Sequence, residues 1–390
     1  MSVSVNPLVV ATEAPPIAEA ASWRRPDNFG ADKPLIDVCQ AVPGYVPDER
    51  LRAHVAEAAL GGNSAFYTAV EGLPELRAAL AADMSATYGG GNVKSEDVLI
   101  SSGCNQAFFL AMMALAPAGS SVILPTPWYF NHKMTLDMLG IEAIPLPCSA
   151  ENGMLPDLRE ATALIRQNTR AIVLVTPNNP TGAVYPHALL KEFLDLTEDH
   201  GMALVLDETY RDFLRPDAGA PHTLFSDAGW RGAGLVHLYS FSKVFSLTGY
   251  RAGALVAAPS FVNEVAKVMD CMSICAPSLA QSAALFGLGN LHDWRRDKRL
   301  LMAERVAAFS RALDGHNAGY KVRSIGAYFA YVEHPFTDQD AKTVAMRLAA
   351  EQNLLCLPGS MFGPDQERML RFAFANVDAS VMPEIANRLL

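Results

Sequence analysis

No long hydrophobic run is present in this 390-residue chain, whose longest apolar stretch, residues 107–116, is about half the length of a membrane-spanning helix. The N-terminus has no basic segment followed by an apolar core, so a secretory signal is not indicated. The six cysteines form no CxxC pair, and the nine histidines show no close metal-ligand spacing. We therefore expect a cytoplasmic protein with reduced thiols, no metal site and no membrane partner.

Positive charge is also scarce. The chain has 31 Lys and Arg against 41 Asp and Glu, a net charge of −10, which argues against binding to nucleic acid or to anionic membranes. Apolar residues make up 50% and charged residues 18% of the chain, a composition typical of compact proteins rather than disordered ones. The length is enough for about two to four core units, so a site can lie between domains.

Short apolar runs alternate with helix-length segments, such as residues 105–116 and 187–200, between residues 97 and 257. This alternation predicts an α/β fold, with a three-layer large domain around a mostly parallel, mixed seven-stranded sheet. The strand-like runs are Val98–Ser101, Ser121–Leu124, Ile141–Leu146, Ala171–Thr176, Ala203–Leu206, Leu235–Ser240 and Ala252–Ala257. Too few residues separate the last two runs for a crossover helix, so these strands should be antiparallel if they are adjacent.

The pattern changes after Pro277. Two long helical patterns come first, and strand-like runs follow at Tyr328–Val332 and Leu370–Phe374, which indicates a smaller α+β domain. We expect a large domain over residues 46–289 and a small domain made of residues 21–45 with 290–390. Residues 1–20, rich in proline and small side chains, suggest a flexible leader.

Polar residues follow several predicted strands, at the sheet edge where α/β proteins bind ligands. Gly103 opens a helix, an arrangement that suits either a bound phosphate or a simple serine cap. A turn explains the prolines and glycine of residues 176–182, TPNNPTG, but not the paired asparagines. Asp207 ends an apolar run and needs a cation, from a ligand or from a protein side chain. Lys243 and Arg251 follow the sixth strand, where they either neutralise a phosphate or lie in a solvated loop.

Together these motifs resemble the class I/II aminotransferases of the fold-type I pyridoxal-phosphate enzymes, the aspartate aminotransferase-like superfamily. The resemblance covers roughly residues 35–385 and rests on SFSKVFSLTGYR, LDETY and TPNNPTG. It implies a pyridoxal 5'-phosphate cofactor and a homodimer with shared active sites. It also implies ping-pong transfer of an amino group from an α-amino acid to a 2-oxo acid.

The resemblance implies catalytic roles for Lys243, Asp207 and Tyr210. Lys243 would form a Schiff base with the cofactor and carry a proton, while Asp207 would pair with the pyridine nitrogen and Tyr210 with the phenolic oxygen. The other implied cofactor contacts are Gly103, Cys104, Asn105, Ser240 and Arg251 on the phosphate, Asn179 on the ring oxygen, Tyr129, in preference to Trp128, stacked on the ring, and Tyr67 reaching the phosphate of the neighbouring subunit.

Substrate contacts are implied for Arg371, Asn179 and Ala41. Arg371 would bind the α-carboxylate, and Ala41 stands where the family often has glycine, which predicts a tighter pocket. No position clearly supplies a second cation for a side-chain carboxylate. A neutral or aromatic amino acid is therefore at least as good a candidate as aspartate.

Three other functions compete with this interpretation. A C–S lyase, a cyclopropane-forming synthase or a racemase would use the same residues, and the sequence does not separate them from an aminotransferase. A nicotinamide oxidoreductase is disfavoured because no GxGxxG motif follows the first strand. A non-catalytic relative is disfavoured because Lys243, Asp207, Arg251 and Arg371 are all present.

Overall fold

The computed structural model describes residues 3–227, 229–314 and 318–389. Its strands are β1 (Ile36–Asp37), β2 (Val98–Ser101), β3 (Ser121–Thr126), β4 (Glu142–Pro147), β5 (Thr169–Val175), β6 (Ala203–Asp207), β7 (Leu235–Ser240), β8 (Gly253–Val256), β9 (Lys321–Gly326), β10 (Phe329–Glu333), β11 (Leu354–Leu355), β12 (Leu357–Pro358) and β13 (Met369–Ala373). Its α-helices are α1 (Pro7–Ala11), α2 (Pro16–Ser22), α3 (Glu49–Leu60), α4 (Pro74–Thr87), α5 (Cys104–Leu115), α6 (Phe130–Leu139), α7 (Leu158–Leu164), α8 (His187–Asp199), α9 (Phe241–Val244), α10 (Pro259–Ser273), α11 (Ser278–Asn290), α12 (His292–Asp314), α13 (Ala341–Gln352) and α14 (Met382–Asn387).

The largest sheet has seven strands in the order β2-β8-β7-β6-β5-β3-β4. Strands β7, β6, β5, β3 and β4 run parallel, and β8 is antiparallel to both of its neighbours. The mixed, mostly parallel sheet and the antiparallel pairing of the last two strands are thus confirmed. Strands β2 to β7 all point the same way, so their carboxyl ends share one edge.

The central strands are apolar on both faces because helices cover the sheet from both sides. Every residue of β6 and β7 is buried, and α5, α8 and α10 pack around the sheet. At the end of β6 the apolar run stops abruptly at the carboxylate of Asp207. A buried charge there marks the edge where the site lies.

A second hydrophobic core surrounds the antiparallel sheet β12-β13-β10-β9. It is formed mainly by the first 39 residues and by the chain after residue 300, whereas the first core lies mainly between residues 51 and 291. The domain boundaries expected from the sequence stay a prediction. The short parallel pair β1 and β11 ties the N-terminal part of the small domain to its C-terminal part.

The N-terminal segment, which the sequence predicts to be a flexible leader, contains the short helices α1 and α2. Helix α2 packs on β12, and Ala20 is fully buried in the second core, with Ile17 one turn earlier packed against that core. The 3.6-residue period brings these two side chains to the same face, which anchors the helix. Within residues 3–227, 229–314 and 318–389, no helix has the length and apolarity needed to span a membrane.

Candidate active site

A cavity of about 400 Å³ opens at the carboxyl edge of the large sheet, between the two cores. Its lining contains most of the residues that the sequence singled out, among them one carboxylate and three cationic side chains. These residues are Ala41, Cys104, Asn105, Tyr129, Asn179, Asp207, Tyr210, Ser240, Lys243, Arg251 and Arg371. Gly103 adjoins the cavity beside Arg251, and Tyr67 lies elsewhere on the surface.

Asp207 ends β6 with its carboxylate facing the cavity and almost wholly buried. Burial alone raises the pKa of this carboxyl group, but hydrogen bonds outweigh that effect and lower the pKa below its usual range. The donors are Nε2 of His132, 3.2 Å from Oδ2, and the backbone N–H of Thr209, 3.0 Å from Oδ1. The site therefore holds a stable negative charge that a cationic ligand atom can pair with.

His132 is a site residue that the sequence analysis missed. It lies on α6, is buried, and stacks on Phe108 with ring centroids 3.9 Å apart. The sequence signal for His132 was its position three residues after Tyr129. That spacing places both side chains on the same side of the first turn of α6.

Lys243 lies on α9, directly after β7. Ser240 caps this short helix by accepting a hydrogen bond from the backbone N–H of Ser242. The Lys243 amine donates to the carbonyl oxygen of Ala41 at 2.6 Å. Burial, and then the positive charges of nearby arginines, lower the pKa of Lys243 to about 8. A lysine with this pKa is partly neutral near physiological pH and can act as a nucleophile.

Two glycines shape an anion-binding corner at the start of α5. Gly103 has φ +87°, and a side chain there would collide with the Arg251 guanidinium. A Cβ on Gly253 would lie 2.7 Å from the backbone nitrogen of Cys104. Gly103 thus lets Arg251 approach the first turn of α5, and Gly253 lets β8 lie close to the backbone of that turn, where N–H groups point out of the helix. The corner combines a guanidinium with helix N–H donors, as phosphate binding requires.

The paired asparagines have different tasks. Asn178 stabilises its own turn, because its side-chain oxygen accepts hydrogen bonds from the backbone and the hydroxyl of Thr181. Asn179 faces the cavity and accepts a hydrogen bond from Nη1 of Arg371 at 3.1 Å. The turn motif alone does not separate these two roles, and the family resemblance implied a role for Asn179 only.

Arg371 projects from β13 into the cavity with only 2% of its surface exposed. Its protein partners, the Asn179 amide and the carbonyl of Cys39, are both neutral. Burial lowers the pKa of the guanidinium to about 10, so it remains charged at neutral pH. Its Nε is buried without a hydrogen-bond partner among the described residues. A charged group with an unused donor is suited to a ligand carboxylate.

Aromatic side chains border the same cavity. Tyr210 packs edge to face on Phe329, with centroids 5.0 Å apart, and burial raises the pKa of its hydroxyl well above 10. The Tyr129 hydroxyl donates to the side-chain oxygen of Asn105 at 3.4 Å. Tyr129 lines the cavity and Trp128 does not, and the stacking role of Tyr129 stays a prediction.

Tyr67 is not brought to the cavity of its own chain. It is 77% exposed and lies beside Phe66, which is 73% exposed, after α3. Neighbouring exposed apolar side chains often mark a surface that binds another protein, whereas a single exposed one does not.

Residues 29–389 match the family model described as aminotransferase class I and II. An aspartate aminotransferase of Pyrococcus horikoshii is 28% identical over 345 residues, which cover 86% of this chain and 84% of that protein. An aromatic aminotransferase of Arabidopsis thaliana is 26% identical over 360 residues, covering 91% and 88% of the two chains. The solved structure of a double mutant of Thermus thermophilus aspartate aminotransferase has the same fold, with a TM-score of 0.88, 24% identity and 99% of each chain covered.

Proposed function

Because this chain belongs to the class I and II aminotransferases, enzymes that depend on pyridoxal 5'-phosphate, we propose that it moves an amino group from an α-amino acid to a 2-oxo acid by a ping-pong reaction at Lys243. The observation that carries the proposal is the buried Lys243 amine, which shares one cavity with the Asp207 carboxylate and the Arg371 guanidinium. Together these three groups can hold an α-amino acid by its carboxylate and move the proton at its α-carbon.

The residues around the cavity fit the cofactor. Its phosphate would lie at the corner made by Arg251, Ser240 and the backbone N–H groups of residues 103–105, which the glycines leave open. Asp207 would hold the protonated pyridine nitrogen, with Tyr129, Asn179 and Tyr210 around the ring. When bound, the cofactor supplies an electron sink for the negative charge that develops at the α-carbon.

The protein's own groups bind the substrate and move the proton. Arg371 would clamp the α-carboxylate through its forked guanidinium, beside Asn179. Lys243, with its lowered pKa, would hold the cofactor covalently and then carry the proton at the α-carbon. Asp207 would stay anionic throughout because His132 and Thr209 donate to it.

We also propose that the active unit is a homodimer in which Tyr67 reaches the phosphate of the neighbouring subunit. The exposed apolar side chains of Tyr67, Phe66 and Leu60 support this, because they form a surface that a second copy could cover.

A half-reaction without an acceptor tests the proposed chemistry. The purified enzyme is mixed with single amino acids, and the absorbance of the bound cofactor and the released products are measured. We expect one 2-oxo acid per active site, with the amino group retained by the cofactor. Release of ammonia would identify a lyase, and inversion of the amino acid without oxo-acid release would identify a racemase.

A further inference from the structure

Part of the cavity wall has no role in holding the cofactor or the α-carboxylate. This part is formed by apolar side chains of Pro15, Ile17, Val42 and Phe130, with the amides of Gln40 and Asn131 beside them. If Arg371 binds the α-carboxylate and Lys243 lies at the α-carbon, the substrate side chain must occupy the space that remains. We therefore call these six residues the side-chain subsite.

The apolar part of this subsite is continuous with the second core. Ile17 and Phe130 are partly buried and pack against that core. The Phe130 ring lies between the cavity residue Tyr129, with centroids 5.0 Å apart, and Phe362, with centroids 6.0 Å apart. Phe362 in turn lies under Arg371, whose guanidinium carbon is 4.9 Å from the ring centroid. Aromatic rings thus connect the carboxylate-binding arginine to Phe130, and Phe130 and Ile17 both pack against the same core.

The subsite holds no charge that could pair with a charged substrate side chain. The cations that line the cavity are Lys243, Arg251 and Arg371, and each already has a proposed partner. Asn131 adds a buried side-chain oxygen that has no hydrogen-bond partner among the described residues. The two amides of the subsite are neutral and the rest of its wall is apolar, so a second carboxylate would lose hydration there without a cation to offset the loss.

The segments around Tyr67 also contain no Lys or Arg. None occurs between Arg52 and Arg77, or between Lys267 and Arg295. The two helices that carry much of these segments, α3 and α11, pack against each other. If a second copy covers this surface, the segments nearest to Tyr67 bring no cation to the site.

We propose that the substrates are α-amino acids with an uncharged, apolar side chain, and that Ile17 and Phe130 determine this specificity. The inference rests on the proposed function, because Arg371 and Lys243 must hold the α-carboxylate and the α-carbon. It assigns the N-terminal helix α2 to substrate selection, a task that its composition does not indicate.

Binding of unreactive analogues to the cofactor-loaded enzyme tests the proposal without catalysis. Calorimetric titrations compare 4-methylpentanoate, which has one carboxylate and an apolar tail, with succinate, which has two carboxylates. We expect 4-methylpentanoate to bind at least about tenfold more tightly. Succinate binding as tightly as 4-methylpentanoate, or more tightly, would overturn the proposal.

Substitutions at Ile17 test the assigned wall. Ile17→Ala should weaken the binding of 4-methylpentanoate by about three- to tenfold, because apolar contact is lost. The affinity for succinate should not change. Ile17→Lys should shift the preference toward succinate by supplying a cation. Val10→Lys is the matched control, because it adds the same charge to the exposed helix α1 outside the cavity. Equal effects of both Lys variants, or no effect of Ile17→Ala, would remove Ile17 from the subsite.

The half-reaction with leucine, phenylalanine and aspartate separates this inference from the function it rests on. Conversion of the bound cofactor by leucine or phenylalanine, at least about tenfold faster than by aspartate, is the expected result. Conversion by aspartate alone would overturn the specificity while transamination stands. Conversion by no amino acid of a wide panel would instead count against the proposed function, whatever the analogues show.

Discussion

Nε2 of His132 lies 3.2 Å from Oδ2 of Asp207, and both side chains are almost completely buried. The imidazole stacks on Phe108, so packing fixes the ring in the plane from which it reaches the carboxylate. Asp207 is therefore held by a group on α6 as well as by the strand that carries it. This makes His132 a positioning residue for the carboxylate that we place on the pyridine nitrogen.

Asp207→Asn should leave the fold intact and lower the turnover rate by several orders of magnitude, at least about 10³-fold, because an amide cannot keep the ring nitrogen protonated. The rate per folded, cofactor-loaded molecule and the melting temperature are measured together. Asp217→Asn, at an exposed position, is the control. A drop in stability with an unchanged rate would make Asp207 a structural residue only.

His132→Phe should keep the stacking on Phe108 but remove a hydrogen bond that lowers the pKa of Asp207. The pKa of the carboxyl group then rises, so Asp207 becomes protonated, and activity is lost, at a higher pH than in the wild type. The acidic limb of kcat/KM against pH should move to higher pH. His200→Phe, at an exposed position, should leave it in place. An unshifted limb would separate His132 from the function of Asp207.

Arg371→Lys should weaken the binding of α-carboxylate substrates by about 1–3 kcal/mol, because an ammonium group cannot make the forked contact of a guanidinium. Simple amines without a carboxylate should lose far less. The comparison uses kcat/KM for an amino acid and for the matching amine. An equal loss for both would place Arg371 outside the substrate site.

A mixed dimer tests the proposed role of Tyr67. Tyr67→Glu sets a carboxylate against the phosphate of the neighbouring site, and Lys243→Ala disables a site from within its own subunit. If the two inactive variants are refolded together, random pairing gives half mixed dimers, each with one intact site of two. Activity should therefore return to about a quarter of the wild-type value.

The matched control mixes each inactive variant with itself, which should restore nothing. Mixed dimers that form but show no activity would mean that Tyr67 serves its own subunit or no site.

The residues at the strand ends could be predicted from the sequence because a local pattern, an apolar run followed by polar residues, marks them. Each residue from Gly103 to Arg251 that the motifs singled out follows an apolar run, and parallel strands bring such positions to one edge. The predicted bounds of β2 and β7 agree with the structure, and those of the other strands in the large sheet differ by one or two residues at one or both ends. Local pattern was sufficient to place these residues at one edge of the sheet, whereas their expected roles came from the family resemblance.

The rest of the site depends on contacts between distant segments, which a local pattern does not contain. Ile17 reaches the cavity because Ala20 is buried in a core built by residues after 300, and nothing in the leader's composition indicates that partner. Arg371 meets Asn179 only because the small sheet packs across the edge of the large one. The two-residue strands β1, β11 and β12 are too short to show any periodicity.

Reduction of the purified enzyme with borohydride, followed by peptide mapping, tests the central claim most directly. Borohydride fixes the cofactor to whichever amine holds it, so the modified residue can be read by mass spectrometry. We expect the tag on Lys243, the lysine that the structure buries beside Asp207 and Arg371 with a pKa lowered to about 8. A tag on another lysine, or no tag on enzyme loaded with the aldehyde form of the cofactor, would contradict the account.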